Sequence, residues 1–424
     1  MDTAEKIDIL MSLAFDDREG MPGQDAVALP PRLRNASAAG VLRPLNIRNV
    51  RIGANGPRTR LLRILMTNAC SFNCHYCPMR RDRDLPRTLL KPAEMVRIFF
   101  AAVDRGWCSG LFITTGIPGR PTKVMDDLIE VLELLREKHG YRGYIHTKVV
   151  PGADDAQLAR ITQLATRVSI NIETPCGETL TAIAPEKKLE TTLVTLQRAR
   201  TRVVASQMYE RDGRPRDTLH PGGVAGMTMQ FVVGATPDTD QTIISKASEL
   251  YRGGGIHHAH FSAFRPIRDT PMENVRATPA LREHRLYQAD HLVRKYGFAH
   301  NEIVYEATGN LPLSHDPKVA WALAHPELFP VDIKRATRSM LLRIPGVGPV
   351  AARRIVNERN SAVIRDLGDV RKLGVVTTRA AGFLSIGGRR LRAERWAEQL
   401  KLWSPEEDVG AFAGTYEFSP GTFR

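Results

Sequence analysis

Long apolar runs, abundant cysteine and an excess of acid are all missing from this 424-residue chain. No stretch reaches the roughly eighteen apolar residues of a membrane-spanning helix, so no membrane partner is expected. Residues 1–13 carry Asp2, Glu5, Lys6 and Asp8 and lack the basic start and apolar core of a secretory signal. Five cysteines in so long a chain exclude a disulfide framework, while an odd, close cluster of thiols fits a reducing, cytoplasmic setting and a metal role. Cys108 and Cys176 stand alone and read as small buried residues. Lysine and arginine outnumber aspartate and glutamate, 60 to 46, and the net charge of +14 favours a polyanionic partner.

What is present is a repeating alternation. Short apolar runs at 61–66, 110–115, 144–150, 168–174, 227–233 and 258–264 read as strands. Helical patterns separate or follow them at 91–107, 122–139, 154–166, 191–205, 239–252 and 279–297. Strands alternating with helices imply a parallel sheet with helices packed outside. Six such units fit a partial (β/α)6 barrel, an α/β fold whose working groups lie on the loops after the strands. Residues 1–19 have helical spacing, and no convincing period follows up to about residue 58. Residues 207–226 interrupt the alternation with Arg, Gly and Pro and read as a surface insertion. The expected organisation is an N-terminal helix and irregular segment (1–59), the barrel (60–275), a helical linker (276–330), a small all-α module (331–388), and a basic helix and tail (389–424).

Three cysteines carry the chemistry. Cys70, Cys74 and Cys77 stand in Cys-Ser-Phe-Asn-Cys-His-Tyr-Cys-Pro, on the loop after the first barrel strand. Three thiolates so close can hold an iron–sulfur cluster and leave one iron open to a small molecule. A structural zinc site is the alternative, with His75 as a fourth ligand. His75 abuts Cys74, whereas such sites usually draw on two separated pairs. Strand alternation puts Ser169, Asn171 and Glu173 on one side of the fourth strand, His146 and Lys148 together on the third, and His258 and His260 together on the sixth.

The Cys-x3-Cys-x2-Cys spacing, with Tyr76 before the third cysteine, resembles the signature of radical S-adenosylmethionine (radical SAM) enzymes. The resemblance implies a 4Fe–4S cluster on Cys70, Cys74 and Cys77, with S-adenosylmethionine (SAM) chelated by the fourth iron. It implies an electron donor such as a reductase, reductive cleavage of SAM, and a 5′-deoxyadenosyl radical that takes hydrogen from a substrate. The family usually has Gly-Gly-Glu after the second barrel strand, contacting the methionine amino group. Here Thr114, Thr115 and Gly116 stand there with no acid. The resemblance places Ser169, Asn171 and Glu173 at the ribose position, and Gly234, in Val-Val-Gly-Ala-Thr-Pro, near the adenine.

The C-terminal part reads differently. Residues 339–356 give a helix, a tight turn containing Gly346 and Gly348, and a second helix opened by Pro349. The free N–H groups of that helix start form an anion site, and Arg353 and Arg354 add charge. This resembles the helix–hairpin–helix motif, which binds the DNA backbone without reading sequence. Residues 366–375 read as a second half of a paired hairpin. The barrel and this end together resemble a family of DNA modification or repair radical SAM proteins over residues 60–388. That resemblance implies DNA as substrate and a uracil-DNA glycosylase-like partner. Modification of RNA or tRNA, and a non-catalytic iron–sulfur redox sensor that binds DNA, are the other readings.

Overall fold

Six parallel strands bear out the alternation read in the sequence. The computed structural model describes residues 3–14, 47–51, 58–211, 226–361 and 364–390. They group into two units, one holding residues up to 238 with 250–278, the other 239–249 with 279–390.

In the first unit the sheet runs in chain order: β1 (Ile47–Arg51), β2 (Arg58–Leu65), β3 (Gly110–Thr114), β4 (Tyr144–Lys148), β5 (Arg167–Glu173), β6 (Met227–Val233) and β7 (Ile256–Ala263). Every neighbouring pair from β2 to β7 is parallel. β1 is antiparallel to β2, pairing Ile47 with Leu62 and Arg51 with Arg58. The sequence pattern left this stretch irregular, and its five residues, three of them Arg or Asn, carry no apolar alternation that would reveal an edge strand. Pairing with β2 gives it a backbone ladder that its own pattern does not announce.

The helices are α1 (Thr3–Ala14), α2 (Pro92–Asp104), α3 (Pro121–Glu133), α4 (Asp155–Leu164), α5 (Gly177–Ile183), α6 (Leu189–Arg211) and α7 (Asp240–Tyr251). Local signals explain their starts. Pro92 and Pro121 sit in first turns, where a missing N–H costs nothing. At α4, Asp154 Oδ1 accepts from the Gln157 amide at 2.8 Å and Gln157 Oε1 accepts from the Asp154 amide at 3.1 Å. α5 was not foreseen, because its seven residues are too few to show a period. β3 and β4 are buried at all five positions, as befits strands of a covered parallel sheet. Ile64, Leu65, Leu111, Ile113, Ile145 and Ile170 fill the core.

The second unit contains most of α7 together with α8 (Ala280–Tyr296), α9 (Pro317–Ala324), α10 (Arg338–Arg343), α11 (Pro349–Glu358), α12 (Leu367–Lys372) and α13 (Thr377–Ala380). It also holds a three-stranded sheet ordered β10 (Arg389–Arg390), β9 (Leu384–Ile386), β8 (Val331–Asp332). The module expected to be all-α therefore gains strands, each too short for a period-2 pattern to register. Arg389 and Arg390, expected in a basic helix, form β10 instead; the rest of the tail, like residues 212–225 of the insertion and most of the stretch before 58, lies outside the described residues.

Between α10 and α11 the chain makes a tight turn. Gly346 has φ +80°, and a Cβ there would meet the Val376 carbonyl oxygen at 2.4 Å. The Val376 amide donates to the Gly346 carbonyl at 2.9 Å, which ties this turn to the segment just before α13. The Lys318 ammonium, buried over the Tyr296 ring, donates to the Val347 carbonyl at 2.6 Å.

Candidate metal and cofactor site

The cysteine loop, residues 66–90, is held by backbone rather than by regular structure. The Arg87 guanidinium donates to the carbonyls of Asn68 (2.7 Å), Met79 (2.9 Å), Arg80 (2.6 Å) and Arg83 (2.8 Å), closing the loop on itself. Nothing in the motif marks Arg87 for this task. The segment after α5 fixes the other side. The His75 amide donates to the Ile183 carbonyl at 2.7 Å and the Asn73 amide to Glu186 Oε2 at 3.0 Å. Cys74 packs on Leu180 and Ala184, with Phe72, Tyr76 and Leu189 around it.

Cys70, Cys74 and Cys77 all line one cavity of about 360 Å³ at the ends of the parallel strands. That volume is in the range of about 300–1,000 Å³ usual for small-molecule sites. Tyr76, Thr114, Thr115, Gly116, Asn171 and Glu173 line it too. Ser169 and Gly234 do not, and neither does His75, the zinc alternative's fourth ligand. Of the strand histidines and lysine, only Lys148 reaches the cavity. His258 and His260 are set against each other, Nε2 to Nε2 at 3.1 Å.

Ser169 drops out for a geometric reason. The register of β5 against β6 shifts between Asn171 and Glu173, and Glu173 takes φ +66°. A bulge re-aims the side chain that follows it. Asn171 and Glu173 still both reach the cavity, whereas Ser169, two layers deeper, is fully buried.

Gly116 earns its place by close approach. An added Cβ would meet the Ala69 carbonyl oxygen at 2.2 Å, so the loop after β3 lies directly on the cysteine loop. Its amide already donates to the Thr67 carbonyl at 2.8 Å, and the Thr115 hydroxyl donates to the Gly116 carbonyl at 2.7 Å. The loop where the family's acid would stand is thus hydrogen-bonded both to the cysteine loop and to its own backbone.

The charges in the cavity come from other elements. Glu173, 1% exposed, accepts from Lys187 Nζ at 2.6 Å. Burial alone would raise the Glu173 pKa; the Lys187 ammonium outweighs it, helped by the Tyr76 hydroxyl and Lys148, and the carboxyl is held below its usual range. Burial would lower the Lys187 pKa, but Glu173 and the nearby cysteines raise it on balance. Lys148 Nζ donates to Asn171 Oδ1 at 2.7 Å and Gln230 Oε1 at 3.0 Å, and Gln230 Nε2 donates to Ser262 Oγ at 3.1 Å. Lys187, Gln230 and Ser262 were not singled out from sequence. Lys187 lies on a loop with no period, and single polar residues in strands carry no signal.

The thiols fit a cluster by their chemistry. Burial pushes the Cys74 thiol up to about 11 and the Cys77 thiol further. Thiols so placed stay protonated unless a cation offsets the charge, which iron does. The Phe72 amide donates to Cys70 Sγ at 3.4 Å, a contact that supports negative charge on sulfur. Among the described residues no three His, Cys, Asp or Glu side chains close on a single point. A 4Fe–4S cluster asks only that each thiolate take a different iron.

Residues 64–208 match the family described as the Radical SAM superfamily. The match covers about a third of the chain, and the superfamily it describes uses a 4Fe–4S cluster and SAM. No curated protein matches the chain. Among solved structures it is similar to the FeFe-hydrogenase maturase HydG from Carboxydothermus hydrogenoformans at 17% identity, covering 54% of this chain and 50% of that one, with a TM-score of 0.42. It is similar to methylornithine synthase at 14% identity, 53% and 59% coverage, and a TM-score of 0.41. A third is the radical SAM methyltransferase TsrM from Kitasatospora setae, solved with cobalamin and a 4Fe–4S cluster, at 14% identity, 62% and 56% coverage, and a TM-score of 0.36. The chain spans about half the length of the first structures it matches.

Proposed function

We propose that the protein is a radical SAM enzyme that modifies or repairs DNA. The observation that carries the enzymatic part is the gathering of Cys70, Cys74 and Cys77 in the lining of one cavity that also holds the Glu173–Lys187 pair. When bound, the reduced cluster supplies one electron that splits the SAM sulfonium into methionine and a 5′-deoxyadenosyl radical. The chain's residues do the rest. Arg87 and the 183–186 segment hold the cysteine loop in shape. Val149, Val150, Phe264 and Ile267 give the cavity apolar walls that keep water from a reactive intermediate. Asn171, locked by Lys148, offers its amide N–H groups to an acceptor on the cofactor or substrate.

The DNA part rests on the second unit. The first turn of α11 has no side-chain cap, and Arg353 and Arg354 are exposed beside it. Gly374, with φ +90° between α12 and α13, repeats the helix–glycine–helix pattern. Such a surface grips phosphates and leaves sequence unread. The target atom must reach a buried radical, so an extruded base or a single strand is the expected substrate. A reductase supplies the electron, and a uracil-DNA glycosylase-like protein is the proposed partner. The test is anaerobic reconstitution with dithionite and SAM, comparing 5′-deoxyadenosine formed with DNA, with RNA and alone at matched salt. Stimulation by DNA above RNA is expected. Greater stimulation by RNA would move the substrate to RNA, and no 5′-deoxyadenosine under any condition would leave only a redox-sensing role.

A further inference from the structure

We propose that Arg265 positions the substrate, its guanidinium pairing with the phosphate beside the nucleotide that enters the cavity. The proposal rests on nucleic acid being the substrate and names the group that guides it in.

The size of the cavity sets the problem. About 360 Å³ takes a small molecule and not a duplex. A nucleic acid can offer it one extruded nucleotide, tied by phosphodiesters to the strand outside. Those linkages are anionic and stay at the cavity's edge, so the cation that positions them must stand there.

Among the described residues, three cations line the cavity: Lys148, Lys187 and Arg265. Lys148 is tied to Asn171 and Gln230, and Lys187 to Glu173. Arg265, directly after β7, is exposed, and its side chain has no hydrogen bond or ion pair among the described residues. The acids of its own loop are turned elsewhere. Asp269 lies 3.9 Å from Arg268, and Glu273 Oε2 accepts from the Asp269 amide at 2.8 Å. Glu173, the one carboxylate in the described lining, is buried against Lys187.

The guanidinium is open, but the backbone beneath it is fixed. The Phe264 amide donates to the Val233 carbonyl at 2.9 Å, and the Phe264 carbonyl accepts from the Thr278 amide at 2.9 Å. The Phe264 ring is buried with Ile183, Val232 and Met272, and Tyr76 of the cysteine loop packs against the same cluster. Pro266 follows and holds Arg265 to extended backbone. Arg265 therefore starts from a point tied to the cysteine loop, and only its side chain is left to order when an anion arrives. Its planar fork of donors matches two phosphate oxygens, which an ammonium meets only as a point charge.

The experiment uses the full, cluster-loaded chain with saturating SAM. It measures 5′-deoxyadenosine formed against the concentration of a short, mixed-sequence single-stranded DNA. Arg265→Gln should raise the DNA concentration for half-maximal stimulation about tenfold, the scale of one charge-assisted contact. Arg265→Lys should recover part of that loss. Arg268→Gln, on the same loop but outside the lining, should match wild type. On the same DNA with uncharged methylphosphonate linkages, Arg265→Gln and wild type should coincide, because the anion is gone. A gap that persists on the uncharged strand means a merely structural role and overturns the proposal. So does Arg265→Gln that matches wild type on ordinary DNA. A fall in SAM affinity of Arg265→Gln, read by equilibrium binding, also overturns it and assigns the residue to the cofactor. If RNA of the same sequence stimulates wild type and DNA does not, with the same dependence on Arg265, the DNA reading fails and the phosphate contact stands. Stimulation by neither sinks both.

Discussion

The cavity mouth and the C-terminal hairpins both carry charge, and they handle it in opposite ways. At the mouth, Glu173 and Lys187 are buried and fixed against each other, and Lys148 is fixed against two carboxamides. On the hairpins, Arg353, Arg354 and Arg371 are exposed, and the ion pairs there, such as Lys372 with Asp369, are at the surface. Fixed, desolvated charge discriminates one small ligand by geometry. Exposed, mobile charge grips a polyanion loosely and yields to salt. On the proposed function, the difference separates a site for chemistry from a surface for holding.

The largest expected effect isolates the mouth. Cys70→Ser, Cys74→Ser and Cys77→Ser should each abolish the cluster and all 5′-deoxyadenosine formation, measured by iron and sulfide content and product assay. DNA retention in a band-shift assay should survive in all three; its loss would erase the proposed division of labour.

Next in size is the energetic contrast. Lys187→Ala leaves Glu173 buried and unpaired, which should destabilise the cluster-free protein by about 3–5 kcal/mol in denaturant unfolding. Asp369→Asn, which breaks two surface pairs, with Arg365 and with Lys372, should leave the denaturant midpoint nearly unchanged. Equal effects would show that the mouth's pair is no more than a surface bridge.

The second unit has its own acid sensitivity. Burial, then Arg294, Lys295 and Lys318, push the His291 pKa from 6.5 down to about 3. A histidine kept neutral by folding lends its full share of stability above pH 6.5 and withdraws it as pH falls from there toward 3. The loss should approach about 1.4 kcal/mol for each pH unit below 6.5. His291→Gln should flatten that slope, read from urea midpoints at pH 7.5, 6 and 5.

Smallest is the effect on holding. Arg353→Ala and Arg354→Ala should each reduce the slope of log K against log salt by about 0.9 on duplex DNA, with a weakening similar across sequences. A change confined to one sequence would mean base readout.

Much of the barrel was legible because long helices and fully apolar strands repeat a period. β2 to β7 lie where the apolar runs stood, and the three cysteines occupy the loop that their spacing named. The rest was hidden for identifiable reasons. β1 and β8 to β10 are edge or very short strands whose pairing lies elsewhere in the chain. Glu173 was foreseen on the correct strand, but the bulge before it arises in the pairing with β6, and the Lys187 that holds it lies fourteen residues further along the chain. Arg87 serves through backbone carbonyls, which no motif records.

The most direct test of the central claim is electron paramagnetic resonance of the reduced, cluster-loaded protein with and without SAM. A 4Fe–4S signal whose g values shift on adding SAM is the predicted result. A signal that SAM leaves unchanged, or protein that takes up only zinc, would contradict an open iron at Cys70, Cys74 and Cys77.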